Sequence, residues 1–421
     1  MLFFVSSCGG TAPTDSIEPA ASRSATPATA RPDPGAVATD IDGLLATLES
    51  THPEPFHSIP RDEFVAALEA YEERLPNLDA TESVVELMRV VALLSRAGRD
   101  GHQFALPLDG HEGPVLPLRV YEFAEGLYVT DAAPPHEELI GSRITAIGGM
   151  DIAEVLAAVE PLVPRDGPAT VPTFRPVLLL RTEVLAGLHI AAEGPIEIII
   201  EPPGGAETET RLEPIPFGDY VAWAGALGIL QLPADARVRY LADPEPLSVA
   251  AIGDDTIYIR YRSVVRPDVA DARAILDANG VDRLILDLRQ NPGGDNTTYG
   301  PLFSLVREFA ADHPGRVIVL IDRVTFSAAA NLATEIEQRT DAVFIGEPMG
   351  GGLNFWDDVR FVHLDALPVP MRVGVSTRYW QFADPDDPRL TIEPDVSVPV
   401  TADDYFAGRD PVLDLALAAG G

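Results

Sequence analysis

Apolar residues recur three and four positions apart in Ile41-Leu44-Leu45-Leu48, in Phe64-Leu68-Tyr71-Leu75 and in Val84-Leu87-Val90-Val91-Leu94. That spacing puts them on one face of a helix, so three helices are expected between Val37 and Arg99. Pro53, Pro55, Pro60 and Pro76 interrupt the repeat where helices should break. From Pro114 the period shortens. Leu116 to Tyr121, Leu127 to Thr130, Ile140 to Ile147 and Ile196 to Ile200 read as strands, with a helix at Ile152 to Val159 and another around Pro176 to Leu188. Residues 203 to 247 carry no clear period.

Beyond Leu247, strands and helices alternate. Strands are expected at Thr256 to Tyr261, Arg283 to Leu288, Val317 to Ile321, Ala342 to Ile345 and Pro370 to Thr377, and helices at Val269 to Asn279, Leu302 to Ala311 and Ala328 to Arg339. Leu284-Ile285-Leu286 and Val317-Ile318-Val319-Leu320-Ile321 are unbroken apolar runs, the mark of strands buried on both faces. The expectation is a mixed α/β chain in five parts: a tether (1–36), an N-terminal helical unit (37–112), a β-rich domain (113–204), a linker (205–246) and an α/β core (247–421).

Composition narrows the function. A formal charge of −35, from 65 acidic and 30 basic residues, repels phosphates and argues against nucleic acid as a partner. All 30 basic residues are arginines. G+C-rich coding or salt adaptation would account for that, but it also leaves no lysine amine to act as a base, and a guanidinium does not give up its proton near neutral pH. The single cysteine, Cys8, excludes an internal disulfide and any cysteine metal cluster. No His-x-x-x-His, tight His/carboxylate motif or P-loop is present, so neither metal nor cofactor is expected.

No run approaches the roughly 18 apolar residues of a membrane span. The start, Met1-Leu2-Phe3-Phe4-Val5-Ser6-Ser7-Cys8-Gly9-Gly10, resembles the end of a bacterial lipoprotein signal with Cys8 as lipid attachment point, although its basic n-region is missing and a start further upstream is expected. The Ala, Thr, Ser and Pro that follow to Pro34 suit a tether. A lipid-anchored, extracytoplasmic place at a bacterial surface is the expectation, with a secreted or periplasmic protein as the alternative.

Two segments carry candidate chemistry. Arg323-Val324-Thr325-Phe326-Ser327-Ala328-Ala329-Ala330-Asn331 joins a buried strand to a helix through a turn ending in serine. A hydroxyl there sits where unpaired backbone N–H groups and the positive end of the helix dipole favour a developing oxyanion, though the same serine would also serve as a plain N-cap. Leu286-Asp287-Leu288-Arg289-Gln290-Asn291-Pro292-Gly293-Gly294 leaves the other buried strand into a glycine turn, whose amides can point at a ligand or simply make a tight turn.

Together these segments resemble the tail-specific, or C-terminal processing, serine peptidases, in which a D-L-R-x-N-x-G-G stretch and a T-x-S-A segment occur at this separation on a crotonase-like core. The likeness extends to Gly346–Gly352, to Ile392-Glu393-Pro394-Asp395, and to Gly141–Val159, which resembles a PDZ domain. It implies Ser327 as nucleophile and an oxyanion hole of the Gly293 or Gly294 amide with that of Ala328. The branch of the family that pairs serine with a downstream lysine is closed to this chain. The branch resembling the tricorn core uses a histidine from before the PDZ-like part, and Asp100-Gly101-His102 stands at the matching place. A neutral imidazole can take the serine proton and return it to the leaving amine.

The same branch places its acid near Tyr379-Trp380-Gln381-Phe382-Ala383-Asp384-Pro385-Asp386-Asp387-Pro388, which makes Asp386 and Asp387 candidate orienters and Tyr379 and Trp380 candidate cleft residues. The substrate implied is a peptide or protein. A non-catalytic binding protein on the same scaffold is the rival reading. An acyl-CoA enzyme is a weaker one, for want of a basic cluster to hold nucleotide phosphates.

Overall fold

The computed structural model describes residues 33–225, 231–277 and 280–419. Cys8 and the expected tether, apart from residues 33–36, lie outside the described residues. Helix Pro34–Thr51 begins inside that tether, because the Asp33 side chain accepts from Gly35 N at 3.3 Å and Pro34 takes the first helical position, where its missing N–H costs nothing. Helices Arg61–Arg74 and Ala80–Ala92 follow. The third is started by a capping box in which the Asp79 side chain and Glu82 each satisfy the other's backbone N–H. The helical faces read from the sequence are the buried ones: Leu44, Leu48, Phe64, Leu68, Val84, Leu87 and Val91 share one core.

Strands Leu118–Phe123, Gly126–Ala132, Arg143–Ile147, Ile196–Glu201 and Thr208–Leu212 form an antiparallel sheet in that order. The last of them lies in the expected linker. Only Leu212 of its five residues is buried, so it shows no apolar period, and its pairing with Ile196–Glu201 is what makes it a strand. The helix expected from Pro176 to Leu188 is instead two, Thr170–Leu178 and Thr182–Gly187. Between them Leu180 O accepts from Leu116 N at 2.9 Å and Arg181 pairs with Val115, so this stretch of backbone serves a strand-like contact.

The core sheet runs in the order Val396–Ser397, Val343–Gly346, Val317–Ile321, Arg283–Asp287, Thr256–Tyr261, Leu247–Ile252. Every pairing is parallel except the last, a hairpin. The two apolar runs are central neighbours in register Leu284↔Val317 to Asp287↔Leu320 and are buried at every position. They carry the two candidate turns, so both turns leave the same end of adjacent parallel strands, where α/β sheets place their sites.

Strand Met371–Val375 does not join this sheet. It pairs antiparallel with Arg360–Leu364 on one side and with Ala105–Pro107, just beyond His102, on the other. Gly374 N donates to Phe104 O at 2.8 Å. A strand from the C-terminal part of the chain thus fixes the exit of the helical unit, some 270 residues earlier in sequence, beside the core.

Leu286, fully buried in the central strand, tests this architecture. Leu286→Ala should lower the unfolding free energy by about 2–5 kcal/mol in chemical denaturation, and a loss under about 1 kcal/mol would mean that the strand is not sealed on both faces.

Candidate active site

Strand Val317–Ile321 ends at Asp322, whose buried carboxylate organises the turn after it. Asp322 Oδ1 accepts from Val324 N at 3.0 Å and Thr325 N at 3.1 Å, and also from Gln290 N at 3.0 Å in the neighbouring turn. Burial pushes the Asp322 carboxyl up, and these donors pull it back. Phe326 N donates to Asn291 O at 3.0 Å, and Thr325 Oγ1 to Leu288 O at 2.9 Å. The two turns therefore form one hydrogen-bonded body.

Ser327 caps helix Ala328–Arg339 with φ 52° and ψ −126°, a strained conformation for a residue with a Cβ. Its side chain makes no capping bond to the helix, which removes the plain N-cap reading. Two glycines make room for it. A Cβ on Gly293 would stand 2.7 Å from Ser327 Cβ, and one on Gly351 would stand 3.1 Å from Ser327 N and 2.5 Å from Ala330 Cβ.

Of the expected oxyanion donors, the Gly293 amide is engaged, donating to Asn291 Oδ1 at 3.0 Å. Gly294 pairs with Val264 through bonds from Val264 N to Gly293 O and from Asp295 N to Val264 O, neither of which uses the Gly294 N–H. Ala328 N–H, at the first position of its helix, has no intrahelical acceptor.

His102 is buried, 2% exposed, with its ring stacked on Phe326 at 4.8 Å and on Phe355 at 5.5 Å between centroids. Phe326 immediately precedes Ser327, and Phe355 lies two residues before Asp357 in the adjacent hairpin. Asp357 ends strand Asn354–Asp357, which pairs antiparallel with Arg378–Gln381. Asp357 Oδ2 lies 3.4 Å from Ser327 Oγ and 3.5 Å from His102 Nε2. The fold thus gathers serine and imidazole around one carboxylate oxygen.

The carboxylate in place is not one of those expected. Asp387 is committed to Arg389, at 2.8 Å from Asp387 Oδ2 to Arg389 Nη2, while its carbonyl accepts from Arg99 at 3.3 Å. Asp386 is exposed on the same turn, its N–H capped by Asp384 Oδ1 at 2.9 Å. Pro385, Pro388 and the bonds from Asp386 N to Asp384 Oδ1 and from Arg389 N to Asp387 Oδ1 make that segment a self-contained turn, and Asp357 reaches the imidazole instead. Nothing local marks Asp357 in the sequence: it is one of 65 acidic residues, and only the pairing of its hairpin brings it to Ser327. Tyr379 lies across that hairpin from Trp356, ring to ring at 4.5 Å, and its hydroxyl accepts from Arg99 at 3.1 Å. Trp380 lies under Arg378 at 3.6 Å. Both are half-buried beside the site.

Beneath His102 lies a second set of buried polar groups. Asp100 Oδ1 accepts from Ser376 Oγ at 2.6 Å, and its Oδ2 faces His52 Nε2 at 3.0 Å. His52, His57 and Asp100 offer ligand atoms within 4.8 Å of one another. Glu54 N, however, donates to His52 Nδ1 at 3.0 Å. The proton must then sit on Nε2, which makes His52 a donor to Asp100 and not a metal ligand. Asp166, also buried, accepts from Gly101 N at 2.5 Å and Gly352 N at 3.3 Å. Burial drives its carboxyl up to about 6, against the pull of His102 and those amides and with the push of Asp100.

No family model and no curated protein matches this sequence. Solved structures do match its fold. A structure of mature CPAF complexed with lactacystin covers 92% of this chain and 98% of its own, with TM-score 0.62 and 13% identity. A CPAF mutant covers 91% and 96%, with TM-score 0.63 and 14% identity. The photosystem II D1 C-terminal processing protease lies further off, with TM-score 0.41 at 15% identity over 86% of this chain and 93% of its own. The chain therefore has the mixed α/β fold of CPAF along nearly its whole length.

The raised Asp166 carboxyl yields a stability prediction. Its folded pKa of about 6 lies above the ordinary value of about 4, so its contribution is full below about pH 4 and is lost as pH rises through 6. In chemical denaturation, wild type should lose stability relative to Asp166→Asn between pH 4 and pH 7. A gap independent of pH would show that Asp166 ionises as it does in the unfolded chain.

Proposed function

We propose that the chain is a serine peptidase that cleaves peptide bonds through an acyl-enzyme, with Ser327 as nucleophile and His102 as base. The observation that carries this is the meeting of three groups from distant segments: a strained Ser327, a buried His102 facing inward, and Asp357 Oδ2 within 3.5 Å of both. A binding protein with no reaction to run has no use for a serine held at positive φ between two glycines, nor for an imidazole buried beside it. The likeness in fold to CPAF agrees with the reading.

Ser327 Oγ attacks the scissile carbonyl carbon while its proton passes to His102, and the carbonyl oxygen becomes an oxyanion facing the Ala328 and Gly294 amides. Asp357, on the same side of the ring, stabilises the imidazolium. His102 then gives the proton to the leaving amine, the C–N bond breaks, and the acyl group stays as an ester on Ser327. Water, deprotonated by His102 in turn, attacks the ester and frees the acid and the hydroxyl.

Asp357 also stands where the proton must cross from Oγ to Nε2, so the carboxylate has to yield to an entering substrate. The hairpin bearing Asp357, with Tyr379 on its opposite strand, would line the cleft. With no lysine in the chain, the base assignment rests on His102 alone.

Hydrolysis of a casein-type substrate tests these roles. Ser327→Ala and His102→Ala should each lower kcat/KM at least about a thousandfold while the fold, read by circular dichroism, is kept. Turnover by the Ser327→Ala variant at the wild-type rate would end the proposal. Among the acids, Asp357→Asn should cost about tenfold or more, with Asp386→Asn and Asp387→Asn close to wild type. The reverse order would return the role to the 384–388 turn.

A further inference from the structure

We infer that Asp166 is a positioning residue for the base, clamping the turn that carries His102 against the turn that backs Ser327. The inference rests on the assignment of Ser327 and His102 above. Asp166 is fully buried and belongs to neither turn. Its Oδ1 accepts from the N–H of Gly101, the residue before His102, and its Oδ2 from the N–H of Gly352, next to the Gly351 that packs against Ser327 N. One carboxylate therefore spans the two segments whose separation sets the serine–imidazole geometry.

The backbone around it repeats the connection. Arg99 N donates to Asp166 O at 2.8 Å and Asp100 N to Arg165 O at 3.2 Å, which fastens the histidine turn. Thr170 Oγ1 accepts from Asp166 N at 3.2 Å and donates to Gly350 O at 2.9 Å, while Thr173 Oγ1 donates to Arg323 O at 3.0 Å, which fastens the serine side. The approach is close enough to require glycine. A Cβ on Gly98 would stand 2.7 Å from Asp166 O, and one on Gly101 would stand 3.1 Å from the Asp166 carboxyl carbon.

Charge adds a second effect. The charges of His102 and Asp100 act on Asp166, Asp100 is itself held by His52 and Ser376, and His102 Nε2 lies 3.5 Å from Asp357. An ionised Asp166 favours the imidazolium that forms when His102 takes the serine proton. Its protonation below about pH 6 would withdraw that support and give Gly101 and Gly352 a poorer acceptor.

The pH profile of fluorophosphonate labelling separates this role from a purely structural one. In the wild type the labelling rate should fall on the acid side as His102 and its neighbours take up protons. Asp166→Asn should move that limb to lower pH by about one unit, because a unit of negative charge near the imidazole is gone, and should lower the plateau about tenfold. Thr170→Val, which loosens the same clamp without changing charge, should lower the plateau and leave the limb in place. An unmoved limb and a wild-type plateau in Asp166→Asn, with His102→Ala unlabelled, would overturn the role of Asp166 and leave the base assignment standing. Wild-type labelling of His102→Ala would instead remove the base assignment itself.

Should Asp166→Asn fail to fold, Thr170→Val decides the matter, because Thr170 Oγ1 links Asp166 N to Gly350 O: a wild-type labelling plateau in that variant would refute the clamp.

Discussion

The site depends on the close approach of two turns that leave adjacent parallel strands. At φ 52° Ser327 costs free energy, and the conformation persists only because the surroundings over-determine it. Gly293 comes within van der Waals reach from one side and Gly351 from the other, while Asp322, Asn291 and Thr325 tie the two turns by hydrogen bonds. A side chain on either glycine would push Ser327 out of its place at the start of the helix. The register of two buried strands thus becomes, one turn later, the position of a single hydroxyl.

The imidazole comes to Asp357 Oδ2, the oxygen that this hydroxyl also meets, by a different route. His102 comes from the helical unit and is delivered by the pairing of Ala105–Pro107 with Met371–Val375. The carboxylate comes from a hairpin, Asn354–Asp357 with Arg378–Gln381. Each element carries one group, and none of the three groups can be moved without moving a strand. Phe326 and Phe355 then fix the ring between them, so that burial and stacking hold the imidazole in one orientation.

Much of this was legible in the sequence because it is local. The apolar runs at Leu284–Leu286 and Val317–Ile321 announced buried strands, the small residues after Ser327 announced a helix beginning, and Gly101-His102 stood at the exit of a helical unit. What stayed hidden depends on long-range pairing. Thr208–Leu212 is a strand only by virtue of its neighbour, and the stretch around Leu180 leaves the helix to bond to Leu116. The acids were hidden for another reason: among so many carboxylates, neither Asp357 nor Asp166 differs locally from a solvated residue, and Asp386 and Asp387 sit in a turn whose bonds are satisfied by Asp384 and Arg389.

Mass-spectrometric mapping of the fluorophosphonate adduct on the intact wild-type protein addresses the central claim most directly. A single adduct on the peptide carrying Ser327, formed at neutral pH and absent when His102 is replaced by alanine, is the result expected of a nucleophile that this imidazole activates. An adduct at another serine, or none under conditions where the protein hydrolyses peptides, would contradict it.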